Sequence, residues 1–338
     1  MTESATRSIT VCTVTPVYSG DEYLRALVDE LEQLRNDWAR RGAPMKLVES
    51  IFVDDGSIDG SAEILSKLAD QFPWVTIVTL SRNFGQHAAT VAGICHSSSD
   101  WVVTLDEDLQ HKPALFDELF LTQASNSADV VYANPKLSAH GNSWRDKTSR
   151  SVKRILAKLT STPQIEMFNS FRLIRGSVAR AAASSSSRST YFDIAISWFT
   201  KSASSTELDM QDHRFNETQN SGYGLLKLVQ HARRLIVSAE LDIASPGLVV
   251  GFIAISFAIL LATVTIIQKF FFPETIGSVG WTSLMTVSTF FGGIIIALLC
   301  VALEYIHILV MNNLGKPTFF TVDRSYDAIL KEWFDAKQ

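Results

Sequence analysis

The first two thirds of the chain alternate short apolar runs with longer segments of helical spacing. Residues 9–14, 50–53, 75–80, 101–105 and 130–132 read as strands. Between the first two, residues 22–40 place Leu24, Leu27, Leu31 and Leu34 at helical intervals, and residues 61–71, 86–96 and 114–125 read as further helices. This alternation predicts an open α/β domain with a mostly parallel sheet. The runs closing at Val53 and Leu105 are apolar throughout, as expected of strands covered on both faces. No internal repeat is evident, and the low-complexity patch 181–187 reads as a helix end and loop.

The pattern changes near Leu241. Residues 243–268 carry no charge, nor do residues 275–303, and each run exceeds the roughly 20 residues needed to cross a bilayer. Only a short connection containing Pro273 separates them, so the pair reads as a transmembrane hairpin. Arg233 and Arg234 precede it, Lys316 and Arg324 follow it, and only Lys269 is basic in the turn, which places both hairpin ends in the cytoplasm. The opening M-T-E-S-A-T-R has no signal-peptide core, in agreement with a cytoplasmic first domain. Glu304 and His307 read as side chains snorkelling at the end of the second span. Residues 225–241 set Leu225, Leu228, Val229, Leu235 and Ile236 against Lys227, His231, Arg233 and Arg234. They read as an amphipathic helix in the membrane interface, with a plain helical linker as the alternative. The expected division is an α/β domain over 1–224, the interfacial helix over 225–242, the hairpin over 243–312 and a cytoplasmic tail over 313–338.

Two of the strand-like runs end in paired carboxylates: I-F-V-D-D-G-S over 51–57 and W-V-V-T-L-D-E-D-L-Q over 101–110. Ligands of open parallel sheets bind beyond the carboxyl ends of the strands, so both clusters point to one crevice. Carboxylates gathered there repel one another, and a hard divalent cation shared with phosphate oxygens is their natural partner. The motifs therefore read as a site for a metal and a nucleotide diphosphate. A net charge of −5, from 30 Lys+Arg against 35 Asp+Glu, gives no case for nucleic-acid binding. Cys12, Cys95 and Cys300 lie far apart, which argues against a disulfide frame or a zinc site. The stretch 144–158 holds six basic residues and reads equally as a solvated helix face or as a site for an anionic lipid.

Together these segments resemble the family 2 glycosyltransferases, and more narrowly the polyprenyl-phosphate glycosyltransferases, which include dolichol-phosphate mannose synthase and bacterial undecaprenyl-phosphate sugar transferases. The matching segments stand in order: T-P-V-Y-S-G-D-E-Y-L (15–24), V-D-D-G-S-I-D-G-S (53–61), L-S-R-N-F-G-Q-H-A-A (80–89), L-D-E-D-L-Q-H-K-P (105–113), N-S-F-R-L-I (169–174) and S-G-Y-G-L-L-K-L (221–228). The resemblance covers nearly the whole chain. It implies a nucleotide-sugar-binding, Rossmann-like domain of the GT-A type. The implied activity is metal-dependent, inverting transfer of one sugar from a nucleotide sugar to undecaprenyl or polyprenyl phosphate at the cytoplasmic membrane face. A UDP-sugar is favoured over a GDP-sugar.

Carried onto this chain, the resemblance assigns base and ribose contacts to Pro16, Tyr18 and Glu22, and a base contact to Asp54 and Asp55, with Gly56 and Ser57 forming the turn that follows. Ser57 and Asp59 also read as an ordinary turn and helix cap. Arg82 and Asn83 extend the base contacts, and Gly85 permits close backbone approach. Asp106 and Asp108 match the D-x-D pair, with Gln110 a third oxygen ligand of Mg²⁺ or Mn²⁺. Glu107 stands where the family more often has a small residue, which leaves the metal preference open. Arg145 and Ser149 match an acceptor-phosphate clamp to which Lys136 adds, and Arg214 matches the arginine of the loop that folds over the donor diphosphate. Asn169 replaces the family's aspartate, Asp193 is a candidate for part of its role, and Arg172 is a candidate partner of the acidic cluster. The other readings are a glycan-extending synthase, for which two spans are too few to form the usual channel, and a catalytically silent membrane partner. Hairpin anchors often associate, so a second copy of the chain is among the expected partners.

Overall fold

The structure, a computed structural model, describes residues 8–136, 163–186, 190–210, 244–271, 280–313 and 326–336. The chain forms two compact units. The larger is built on β1 (Ile9–Val17), β2 (Met45–Asp54), β3 (Val75–Thr79), β4 (Trp101–Thr104), β5 (Val130–Pro135), β6 (Arg172–Arg175) and β7 (Ala203–Leu208), in the order β3-β2-β1-β4-β6-β5-β7. Strands β1 to β4 pair in parallel, β6 runs antiparallel to β4 and β5, and β7 is parallel to β5. The mostly parallel α/β sheet expected from the apolar pattern is therefore present, with one reversed strand in it.

Successive side chains of a strand point to opposite faces, and this alternation builds two cores. Val11, Phe52, Trp101, Val103 and Leu173 face one core, which α1 (Leu24–Arg40), α2 (Ser61–Gln71) and α4 (Phe116–Asn126) close with Leu27, Leu31, Leu65, Leu68 and Phe120. Cys12, Val14, Ile51, Val53 and Val102 face the other. That core is closed by α3 (Gln86–His96), α5 (Gly176–Ser185) and α6 (Phe192–Phe199), through Ile94, Val178 and Ile194. Strand β2 starts at Met45, earlier than expected, because Met45 and Leu47 are buried while Lys46 and Val48 are exposed. Four residues of half-exposed alternation give a weaker signal than the fully apolar run after them. The fourth helix opens as a 3₁₀ turn, Pro113–Leu115, where proline fixes φ and lacks a donor. The three cysteines are unpaired.

The second unit is a helical hairpin of α7 (Ala244–Phe271) and α8 (Trp281–Asn313). Both are long and apolar enough to span a bilayer, over Val249–Gln268 and Ser283–Val310. Positions buried between them are small (Gly251, Ala258, Gly293, Cys300), while Phe252, Phe270, Leu284 and Leu309 are exposed. Small residues let helix backbones approach, and large apolar ones facing outward suit lipid.

Residues 313–338, expected as a tail, contain a helix α9 (Asp327–Asp335) that belongs to the larger unit. Leu330 and Phe334 enter the first core, and Asp327 accepts hydrogen bonds from Arg175 (2.7 Å) and Gln123 (3.3 Å). Arg175 is buried, bonds Asp129 at 3.0 Å and lies over the Trp101 ring. Leu330→Ala is expected to lower the stability of this unit by about 3 kcal/mol, and Lys331→Ala, on the exposed side, by no more than about 0.5 kcal/mol. Urea unfolding of the full chain in detergent, followed by tryptophan fluorescence, checks both.

Candidate active site

The chain climbs from β1 through β2 to β3 on one side, and α3 then carries it back to β4 on the other side of β1. The order of connection thus reverses between β1 and β4, the place where open α/β sheets leave a crevice beyond their carboxyl ends. Val17, Asp54 and Thr79 end in register, Thr104 ends three residues earlier beside Val14, and all four strands launch their loops from one edge. Lys136, after β5, and Asn169 and Ser170, before β6, lie at the same edge.

Most carboxylates at this edge hold neighbouring loops. Asp54 accepts from the Ser57 amide (2.8 Å) and hydroxyl (2.6 Å), which closes the turn through Gly56. Asp55, buried, reaches the next loop and accepts from the amides of Phe84 (2.7 Å) and Gly85 (2.8 Å). Asp59 accepts the Ser61 amide at 3.0 Å, in the turn that leads into α2, and the Asp21 amide at 3.3 Å. Gly85 has a φ of +95°, a region that side chains disfavour, and a Cβ there would meet no protein atom within 4 Å. Tyr18, Arg82, Asn83 and Phe84 remain exposed around this crevice, with the Arg82 guanidinium 4.3 Å from the Phe84 ring centre, while Pro16 sits within β1 opposite Val53 and Glu22 is exposed just before α1.

In the D-E-D-L-Q loop, Asp106 Oδ1 accepts from Gln86 Nε2 (2.5 Å) and Oδ2 from the Ser170 hydroxyl (3.0 Å). Asp108 accepts the backbone amide and the side-chain amide of Gln110, at 3.3 and 3.1 Å. Leu109 between them has φ +60°, a left-handed backbone that costs a non-glycine residue of order 1–3 kcal/mol. The turn is stabilised by His111, whose Nδ1 accepts the Asp106 amide at 3.0 Å while its ring stacks on Phe171 with centres 4.8 Å apart. Burial pushes the His111 pKa below its ordinary value, against the pull of Asp106 and Asp108, so the imidazole stays neutral and able to accept. Among the described residues no group of three or more His, Cys, Asp or Glu is placed to hold a metal. Asp106 and Asp108 offer carboxylate oxygens of the kind that suit Mg²⁺ or Mn²⁺ completed by substrate phosphates, while the Gln110 side chain turns its Nε2 to Asp108.

Two other expectations change. Arg172 does not pair with the acidic cluster: it bonds Asp193 at 2.5 Å and the Asn169 carbonyl at 3.0 Å, and lies over the Phe192 ring. Asp193 is fully buried in that ion pair and beside Tyr132, whose hydroxyl is pushed well above its usual pKa, first by burial and then by Asp193. Asn169 is held by its own loop, donating to the Ala133 carbonyl at 2.6 Å and accepting the Phe171 amide at 3.3 Å. Lys136 is exposed and donates its backbone amide to Leu208. Arg145, Ser149, Arg214 and the segment 225–241 lie outside the described residues. Gln86, Ser170 and His111 were not assigned roles from the sequence. His111 lies inside the D-x-D segment, but nothing in one dimension pairs Gln86 or Ser170 with Asp106.

Acidic loops gathered at the reversal point of a parallel sheet stand where open α/β sheets bind their ligands. The chain belongs to glycosyl transferase family 2, whose family model matches residues 12–181, and it is a glycosyltransferase. Over 319 residues it is 29% identical to a protein of Yersinia pestis named undecaprenyl-phosphate 4-deoxy-4-formamido-L-arabinose transferase, covering 92% of each chain. A protein of the same name in Yersinia pseudotuberculosis matches equally. Among solved structures, glucosyl-3-phosphoglycerate synthase of M. tuberculosis is 16% identical over 70% of this chain and 81% of its own, with a TM-score of 0.46.

Asp55 and Asp108 are expected to respond differently to substitution. Asp55→Ala strands two backbone donors and should cost about 1–3 kcal/mol of stability. Asp108→Asn should leave unfolding unchanged and abolish turnover at saturating Mg²⁺ or Mn²⁺. Thermal unfolding and radiolabelled donor turnover of the two variants separate the roles.

Proposed function

We propose that this enzyme moves a single sugar, with inversion, from a nucleotide sugar to undecaprenyl or another polyprenyl phosphate at the cytoplasmic membrane face. A UDP-sugar is the favoured donor and a GDP-sugar the alternative. The observation that carries the reading is the D-E-D-L-Q loop at the β1/β4 reversal, in a chain that also holds two helices long and apolar enough to span a bilayer. The similarity to undecaprenyl-phosphate sugar transferases over 92% of the chain supports the acceptor.

The donor would lie across the loops after β1, β2 and β3, its base near Tyr18 and Arg82 and its diphosphate toward Asp106 and Asp108. Bound Mg²⁺ or Mn²⁺ would neutralise the charge that builds on the departing nucleotide. Asp54 Oδ2, which takes no hydrogen bond among the described residues, is the oxygen we assign to the ring N–H of the base. The acceptor chemistry also fits. A sugar hydroxyl needs a general base near pH 7, whereas a lipid phosphate, with a second pKa of about 6, attacks as an anion. Asp193 is buried and paired with Arg172, so it is not placed to serve as a base for a glycan hydroxyl. Arg145, Ser149 and Lys136 would orient that phosphate, and Arg214 would stabilise the leaving diphosphate.

Topology is part of the proposal. Helix α9 follows the hairpin and joins the unit that precedes it, so both hairpin ends belong on the side of the catalytic domain. Reporter tags at Met1 and Gln338 should behave as cytoplasmic and a tag near Glu274 as external; an external Gln338 would overturn this arrangement.

The decisive assay pairs a panel of nucleotide sugars with purified enzyme and a short polyprenyl phosphate. Arg145→Ala should raise KM for the lipid phosphate far more than for the donor, because the acceptor carries its charge before and during attack. Arg214→Ala should mainly depress kcat, because the diphosphate gains charge only as the glycosidic bond breaks. Equal effects of both variants on both substrates would show that the two halves of the site are misassigned.

A further inference from the structure

Glu107 occupies the middle of the D-x-D triplet, yet its carboxylate turns away from the ligand set of its two neighbours. Oε2 accepts the Tyr18 amide at 2.9 Å and Oε1 the Ser19 amide at 3.3 Å. The side chain is buried at 9% exposure, where an ionised carboxylate needs such donors. The next residue closes the contact: a Cβ on Gly20 would stand 2.7 Å from Glu107 Oε2, so only glycine admits the carboxylate at full reach. The same loop is pinned from its other side, where the Gly20 amide donates to Ser61 Oγ at 3.0 Å and the Ile58 amide to the Tyr18 carbonyl at 3.3 Å. Strands β1 and β4 are neighbours, so this contact spans the reversal point itself.

We infer that Glu107 is a positioning residue that bolts the loop of residues 18–20 to the Asp106–Asp108 turn, and so fixes the nucleotide-binding loop relative to the metal-binding carboxylates. It is not a third carboxylate for the metal. Binding at Asp106 and Asp108 then orders the loop that carries Tyr18, and nucleotide and cation bind with positive coupling through one side chain. The inference rests on the donor reading for its effect on nucleotide affinity, and on geometry alone for the bolt.

The test uses the full chain in detergent with Glu107→Gln, Glu107→Ala, Gly20→Ala and the Gly20→Ala/Glu107→Ala pair, each checked for cooperative unfolding. Three quantities are measured: amide exchange in residues 18–20, affinity for UDP and GDP with Mn²⁺, and affinity for Mn²⁺ alone. Glu107→Ala should speed exchange at Tyr18 and Ser19 and weaken nucleotide binding roughly tenfold, the size expected when bonds to a charged acceptor are lost. Glu107→Gln, which keeps one acceptor oxygen, should fall between it and the parent chain. Gly20→Ala should mimic Glu107→Ala, and the double variant should be no worse than either, since both remove one contact. Mn²⁺ affinity should change far less than in Asp108→Asn. Additive losses, unchanged exchange, or a loss of Mn²⁺ affinity matching Asp108→Asn would overturn the inference. If exchange responds but the parent chain binds neither nucleotide, the bolt stands and the donor reading falls.

Discussion

Ending several parallel strands along one edge frees a row of backbone amides that no longer have ladder partners, and buried amides must find acceptors. In this protein many of the acceptors are carboxylates. Asp54 serves its own turn, Asp55 the loop after β3, Asp59 the start of α2, and Glu107 the loop after β1. Each loop is thereby tied to the next across the sheet, and the crevice between them keeps a defined shape. An acidic cluster that reads as a ligand site is in large part its own scaffold.

Away from the crevice, two buried arginines fix the reversed strand. Arg172, at its active-site end, pairs with Asp193 beneath Phe192, and Arg175, at the other end, ties Asp129 and the returning helix α9 to the Trp101 ring. Removing one partner from such a pair leaves an uncompensated buried charge, so each pair specifies where its element must lie. The helix that follows the hairpin is thus part of the larger unit, and the pair of long apolar helices is an insertion in that unit's sequence.

Parts of this were legible in one dimension. The apolar runs of β1 to β5 and the spacing of Leu24, Leu27, Leu31 and Leu34 reflect strong local periodicity, and the structure carries those elements. Strand β6 is four residues long and helix α6 is apolar almost throughout, so neither offers a period to read. Helix α9 is nine residues long, too short for its apolar spacing to separate it from a tail.

By itself, the sequence determined the α/β class, the two long apolar helices, the positions of the two acidic clusters and the family, because these follow from composition, periodicity and ordered motifs. Tertiary structure alone decided which loop each carboxylate holds. That pairing depends on which backbone amides a side chain meets across the sheet: Glu107 and Tyr18 are 89 residues apart, and Asp55 and Gly85 are 30 apart. Spacing along a chain carries no record of such meetings, since they arise only when parallel strands bring their ends into register.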